Sequence, residues 1–235
     1  ALNEGGFGFE RTQASAIVGI YAASVYLASL PGGWIADRWL GLRRAILIGA
    51  VFITLGHLAI GLSGFAGGSL NKICFFLGLV LIVCGTGLLK PNISAIVGDL
   101  YPEGGARRDA GFSIFYMGIN LGALLGTAIC GWFAENEKLG FGYKWGFGAA
   151  GVGMMVATVT FLLGQKRLRA DVEAAGGSLA PGAKKSGAAA TVERDADESA
   201  PGADGFAGVL AKVFPGVMIG IAVVLPVYFA YRAFS

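Results

Sequence analysis

The chain has 235 residues, of which 55% are hydrophobic and 14% charged, and forty are glycine. A soluble domain carries about a quarter of its residues as charges, so this composition sets aside an ordinary soluble protein and points to an all-α, polytopic membrane helix bundle. The net charge of +3 says little until the charges are placed along the chain.

The first residues, ALNEGGFGFERTQ, are polar and glycine-rich and do not form a signal peptide. Residues 1–13 read as an extracytoplasmic loop entered from an upstream segment. Six runs of membrane length follow, at about 14–36, 45–63, 73–100, 110–133, 146–164 and 214–234. Glycines or prolines interrupt the fourth and the sixth. Short connections join the first five, which favours antiparallel neighbours in one bundle over 14–165. Beyond them, residues 166–206 are mainly Ala, Gly, Pro and charge. That stretch cannot bury enough surface to offset its ordering entropy, and it reads as a flexible cytoplasmic linker. Residues 207–235 hold one further transmembrane segment.

Lysine and arginine set the expected orientation. One set of loops carries Arg38, Arg43, Arg44, Arg107, Arg108, Lys166, Arg167, Arg169, Lys184, Lys185 and Arg194. The other carries only Arg11, Lys72, Lys138 and Lys144. The first set is therefore placed in the cytoplasm, and the first span runs inward.

Within the third run one charge stands alone. Residues 73–97 read ICFFLGLVLIVCGTGLLKPNISAIV, and Lys90 is their sole ionisable lysine or acid. A central lysine costs about 2.5–3.5 kcal/mol on insertion scales, so such residues usually line a cavity or meet a counter-charge. Thr86, Lys90 and Ser94 share a helical stripe at i, i+4 and i+8. Pro91 removes a helix hydrogen bond, leaves a carbonyl unpaired one turn earlier and is expected to kink the span. The plain alternative is a lysine snorkelling to the interface, since Lys90 lies only about 7 Å past the middle of the run.

Three stretches carry a resemblance. The inner end of the first span reads Gly32-Gly33-Trp34-Ile35-Ala36-Asp37-Arg38-Trp39-Leu40-Gly41-Leu42-Arg43-Arg44. Its order of Gly33, Asp37, Arg38, Gly41, Arg43 and Arg44 resembles the cytoplasmic signature between the second and third helices of the major facilitator superfamily. Its longer spacing is similar to that of the proton-dependent oligopeptide transporter family. GTGLLKPNISAIVGDLY over 85–101 and RRDAGFSIFYMGINLGALLG over 107–126 resemble that family's fourth and fifth helices. Its diagnostic Phe-Tyr-x-x-Ile-Asn-x-Gly element is present as Phe115, Tyr116, Ile119, Asn120 and Gly122, with Ala123 where serine is common. The resemblance covers about residues 7–168.

The residues themselves support part of this. Gly118, Gly122 and Gly126 form a stripe suited to close helix packing, while Tyr116 and Asn120 fall roughly on the opposite face. The plain alternative for that polar pair is an interhelical hydrogen bond. Tyr21 and Tyr26 are five residues apart, so they point about 140° from each other and cannot both face one cavity directly. His57 reads as a hydrogen-bonded helix contact. Cys74, Cys84 and Cys130 lie in apolar runs and read as packing residues. No nucleophile–base pair, phosphate loop or metal-ligand cluster appears, so no enzyme activity, cofactor, metal or nucleic-acid partner is expected.

The resemblance implies a major-facilitator architecture of two six-helix bundles facing a central cavity, in the cell membrane. It implies import of di- and tripeptides by symport with protons, and a pairing of Lys90 with a glutamate of a first-helix Glu-x-x-Glu-Arg motif. Tyr26, Tyr116 and Asn120 match substrate-binding positions, with Tyr21 a lesser candidate; residues 33–44 match a conformational gate. This chain shows no Glu-x-x-Glu-Arg motif; its Phe9-Glu10-Arg11 is a different stretch. It is therefore expected to hold helices 2–6 of an N-terminal bundle, with a missing first helix and C-terminal bundle as its partners, and to be inactive alone. The segment at 207–235 matches an accessory helix better than helix 7. A major facilitator transporter for another small anion or drug is the nearest alternative. A membrane scaffold without transport activity is the alternative of another class.

Overall fold

In the computed structural model the described residues are 7–65, 67, 69–101, 104–136, 142–176 and 179. They form five long helices and, among the described residues, no strand: α1 (Arg11–Ile35), α2 (Leu42–Ser63), α3 (Ser69–Asp99), α4 (Gly105–Glu135) and α5 (Tyr143–Ala174). All five are long and apolar enough to cross a membrane. The segment at 207–235 and most of the linker lie outside the described residues.

Three boundaries differ from the apolar runs. α3 begins at Ser69, before the apolar run starts, where Phe7 and Phe9 from the chain ahead of α1 pack on Phe75 and Phe76. α1 begins at Arg11, with the Glu10 N–H donating to Gln13 Oε1 at 3.2 Å. α5 continues to Ala174, so residues 166–174 are helical rather than linker. That extension is rich in strong helix formers, and Arg169 Nε donates to Glu173 Oε1 at 2.7 Å across one turn. It ends where Gly176 takes a φ of +79°, a conformation that favours glycine.

Lipid tails are as apolar as leucine, so helix association in a bilayer rests on close van der Waals packing between small residues. The chain puts glycines where its helices meet. α2 and α3 run antiparallel, with Gly49 against Gly85 and Gly56 against Gly78. A Cβ on Gly49 would stand 2.6 Å from the Gly85 carbonyl oxygen, and one on Gly78 would stand 2.7 Å from that of Gly56. α1 runs parallel to α3 and meets it at Ala28, Gly32 and Gly87; a Cβ on Gly87 would lie 2.5 Å from the Ala28 carbonyl oxygen, and one on Gly32 would overlap the Gly87 carbonyl. α5 lies antiparallel to α2, where Gly151 faces His57, and makes a hairpin with α4, where Gly146 meets Cys130.

α4 departs from expectation. A Cβ on Gly118, Gly122 or Gly126 would meet nothing within 4 Å, and none of the helix's residues is buried. Their spacing defines a smooth stripe, but no described element lies against it. The glycines packed between helices instead lie on α1, α2, α3 and α5.

Candidate functional site

α3 passes through Pro91 as one helix. Proline has no N–H to offer the carbonyl four residues earlier, which is that of Gly87. That freed carbonyl lies against Gly32 of α1, the closest approach between the two helices. Asn92, which is 2% exposed, sits at the same crossing. Its Nδ2 donates to Leu88 O at 2.6 Å on its own helix and to Gly32 O at 3.4 Å on α1. Nothing in the sequence reading singled out Asn92; its only signal is a carboxamide directly after Lys90 and Pro91 in an apolar run.

Lys90 leaves α3 on the flank of that crossing opposite Asn92 and is exposed. Helical side chains lean toward the N-terminus of their helix. Lys90 therefore reaches back along α3 to Tyr26 on the parallel α1, and its Nζ stands 4.5 Å from the ring centroid. Tyr26 is itself 69% exposed, so the pair opens onto a face that no described helix covers. Among the described residues no carboxylate forms an ion pair with Lys90. Ser94 Oγ donates to the Lys90 carbonyl at 3.4 Å, and Thr86 is half-buried one turn earlier.

Tyr21 lies elsewhere. It is half-buried in an apolar cleft with Ile17, Phe76 and Val83, against the Ala28–Val83 contact of α1 and α3. The divergence of the two tyrosines on α1 thus gives one to the helix interface and the other to Lys90. On α4, Tyr116 lies near-parallel to Phe112 with centroids 6.3 Å apart, and Asn120 Nδ2 donates to the Tyr116 carbonyl at 2.9 Å. Both side chains are exposed. No hydrogen bond or ring contact joins this pair to Lys90 and Tyr26. His57 Nδ1 lies 2.8 Å from the Ile53 carbonyl oxygen, an acceptor that requires the proton on Nδ1.

At the C-terminal end of α1 the backbone changes form. Residues Ala36–Leu40 make a single π-helical turn, and the Gly41 N–H closes it on the Ala36 carbonyl at 2.8 Å. Gly41 holds φ +75° and ψ 153°, which a side chain would strain, so the motif's second glycine has a backbone cause. Trp34 and Trp39 meet edge to face with centroids 5.1 Å apart, and the Arg38 guanidinium lies 5.8 Å above the Trp34 ring. Asp37 and Arg38 are exposed, as is Arg44 at the start of α2, while Arg43 beside it is half-buried. Gly33 makes ordinary contact with Pro91: a Cβ there would be 3.8 Å from the proline Cβ.

Five apolar helices of this length, close together in sequence and packed through glycine, define a multi-pass membrane protein of the major facilitator kind. A model of the POT family matches residues 43–194. The chain belongs to the POT family. It is 54% identical over 158 residues to a peptide transporter of Yersinia enterocolitica, covering 67% of this chain and 29% of that one. It is 46% identical over 162 residues to a di-/tripeptide transporter of Lactococcus lactis, covering 69% and 31%. Among solved structures, a peptide transporter POT in complex with sulfate superposes with a TM-score of 0.64 at 40% identity, over 90% of this chain and 39% of that one. A POT family transporter in complex with 5-aminolevulinic acid superposes with a TM-score of 0.67 at 33% identity, over 98% and 41%. The chain spans about a third of the length of the curated relatives it matches.

Proposed function

We propose that these helices belong to a proton-coupled symporter that imports di- and tripeptides, and that Lys90 is its coupling cation. The observation that carries the reading is the Lys90–Tyr26 pair: a lone ammonium in an apolar run, held over a phenol ring, with both side chains exposed. Such a cation suits two anions in turn, a carboxylate of the transporter and the C-terminal carboxylate of a peptide. Protonating the first frees the lysine for the second, which links substrate binding to the proton. Tyr26 then stands where it can also meet peptide backbone, while Tyr116 and Asn120 offer a phenol and an amide from α4. The names of the Yersinia and Lactococcus relatives support peptides as the substrate class.

The turn at residues 33–44 serves as the conformational gate in this reading, and the basic ends of α1, α4 and α5 face the cytoplasm. A first helix and a C-terminal bundle of the same transporter would complete the cavity. Accumulation of labelled dialanine by the full-length protein in vesicles, driven by an inward proton gradient, tests the proposal. Accumulation that ignores the gradient would overturn proton coupling. The 5-aminolevulinic acid held by one solved relative favours a second reading, a carrier for another small carboxylate or drug. Competition between such compounds and dialanine separates the two.

A further inference from the structure

Asn92 is buried, polar and unused by the mechanism above. We infer that it is a positioning residue: by donating to Gly32 of α1, its carboxamide fixes the rotation and register of α3 in which Lys90 stands over Tyr26. The inference rests on reading Lys90 as the coupling cation.

A carboxamide shut away from water and set in a membrane helix must find partners. Asn92 has two, and they differ in kind. The bond to Leu88 O, at 2.6 Å, is local and fixes the side chain's rotamer; the bond to Gly32 O, at 3.4 Å, crosses between helices sixty residues apart in sequence. It crosses where α3 is least constrained from within, because Pro91 leaves the Gly87 carbonyl without its intrahelical donor. Gly32 and Gly87 bring the two backbones together there, but glycine contacts are smooth and leave rotation free. A directional bond at the same level removes that freedom.

The geometry then fixes Lys90. Residues two apart on a helix point about 200° from each other, so Asn92 and Lys90 lie on the two flanks of the α1 contact, and seating Asn92 on one flank sets Lys90 on the other, within reach of Tyr26. Because α1 and α3 are parallel, a lysine leaning toward its helix N-terminus meets a residue about a turn and a half before Gly32, which is Tyr26. Turning α3 by one residue's angle would carry the ammonium off the ring.

Two variants of the full-length transporter test this in vesicles, Asn92→Leu and Asn92→Ser. Leucine fills the volume without a donor. Serine still donates to its own helix at Leu88 but is too short for Gly32, so it keeps local satisfaction and removes only the crossing bond. For both, gradient-driven dialanine accumulation is expected to fall about tenfold or more, with exchange of dialanine in the absence of a gradient staying within about threefold of wild type. Should the leucine variant not fold, the serine variant decides. Equal loss of accumulation and exchange, or wild-type accumulation in Asn92→Ser, would overturn the positioning role. Wild-type accumulation in Lys90→Ala alone would instead overturn the reading of Lys90 on which it rests.

Discussion

Lys90 and Tyr26 project from parallel helices, and the lysine Nζ lies 4.5 Å from the centroid of the phenol ring. A cation over an aromatic face gains about 0.5–2 kcal/mol, depending on how far it is desolvated. That is less than the insertion cost of a central lysine, about 2.5–3.5 kcal/mol. The ring therefore offsets part of the cost and leaves the ammonium available to an anion. Lys90→Ala in the full-length transporter is expected to abolish gradient-driven peptide uptake while leaving expression and folding largely intact. Lys90→Arg should not fully restore it, because a planar guanidinium does not replace a compact ammonium. Wild-type accumulation by Lys90→Ala would end the coupling role.

The two roles proposed for Tyr26 separate by substitution. Tyr26→Phe keeps a ring beneath Lys90 and removes the hydroxyl. If the hydroxyl bonds peptide, the apparent KM should rise by the equivalent of about 0.5–1.5 kcal/mol. Tyr26→Leu removes the ring as well and should also lower the rate of gradient-driven uptake. On α4, Tyr116→Phe and Asn120→Ala should each raise KM by a similar amount. Unchanged KM in all of these variants would assign both pairs to structure alone.

How much of this was legible in the sequence depended on what kind of information each feature needed. Length and apolarity located the five helices. Lys90 showed itself as a lone charge, and the divergence of Tyr21 from Tyr26 followed from five-residue spacing. Which glycines pack was not legible. Gly118, Gly122 and Gly126 have ideal spacing and touch nothing described, whereas Gly49 and Gly56 meet Gly85 and Gly78 at intervals of seven. Spacing defines a stripe on one helix, but contact also requires a partner, and the partner is a tertiary fact. Asn92 was missed for the same reason, since its second acceptor belongs to another helix. The π-turn at Ala36–Leu40 has no signature of its own in the sequence, because only the hydrogen bond from the Gly41 N–H back to the Ala36 carbonyl distinguishes it from an α-helical end.

The glycine contacts make a stability prediction. A side chain at Gly49 or Gly85 would have to displace backbone of the facing helix, because a Cβ at either lies 2.6 Å from a carbonyl oxygen. Gly85→Val is expected to cost at least the about 1–3 kcal/mol of an overpacked core, and to lower the thermal midpoint in detergent. Gly164 in α5 provides the contrast, because a Cβ there meets nothing within 4 Å. Gly164→Ala should be neutral or gain up to about 1 kcal/mol through helix propensity. Equal thermal midpoints for the two variants would contradict the close approach of α2 and α3.

Asp37 sits in the π-turn at the edge of the bundle, far along α1 from Tyr26. Alternating access requires one bundle to rock against another, so contacts at this edge bias the two states more than they touch substrate. Asp37→Asn is expected to slow turnover several-fold while leaving peptide affinity close to wild type. Equilibrium peptide binding and transport rate, measured on the same preparation, check this. Binding lost in proportion to transport would assign Asp37 to folding instead.

Orientation offers the last prediction. Antiparallel alternation of the helices gathers Arg38, Arg43, Arg44, Arg107, Arg108 and the Lys166–Arg169 stretch at one end of the bundle, with Lys72 and Lys144 at the other. Counted over all the loops the basic residues divide eleven to four, and such a bias sets topology when it lies close to the spans. The single substitutions Arg44→Cys and Arg108→Cys, made in a chain whose Cys74, Cys84 and Cys130 are changed to alanine, should react with an impermeant thiol reagent only after the cells are opened. Lys72→Cys and Lys144→Cys should react in intact cells, since each replaces a side chain that rests on an aromatic ring, Phe9 or Phe65, at the other end of the bundle. Residues 1–235 expressed alone should show the same pattern yet accumulate no peptide, because the chain spans about a third of the length of its relatives and, among the described residues, no helix covers the Lys90–Tyr26 face. Reaction of the Arg44→Cys variant in intact cells would reverse the assignment. Gradient-dependent uptake by this chain, in vesicles free of longer transporters, would show that a facing bundle is not needed.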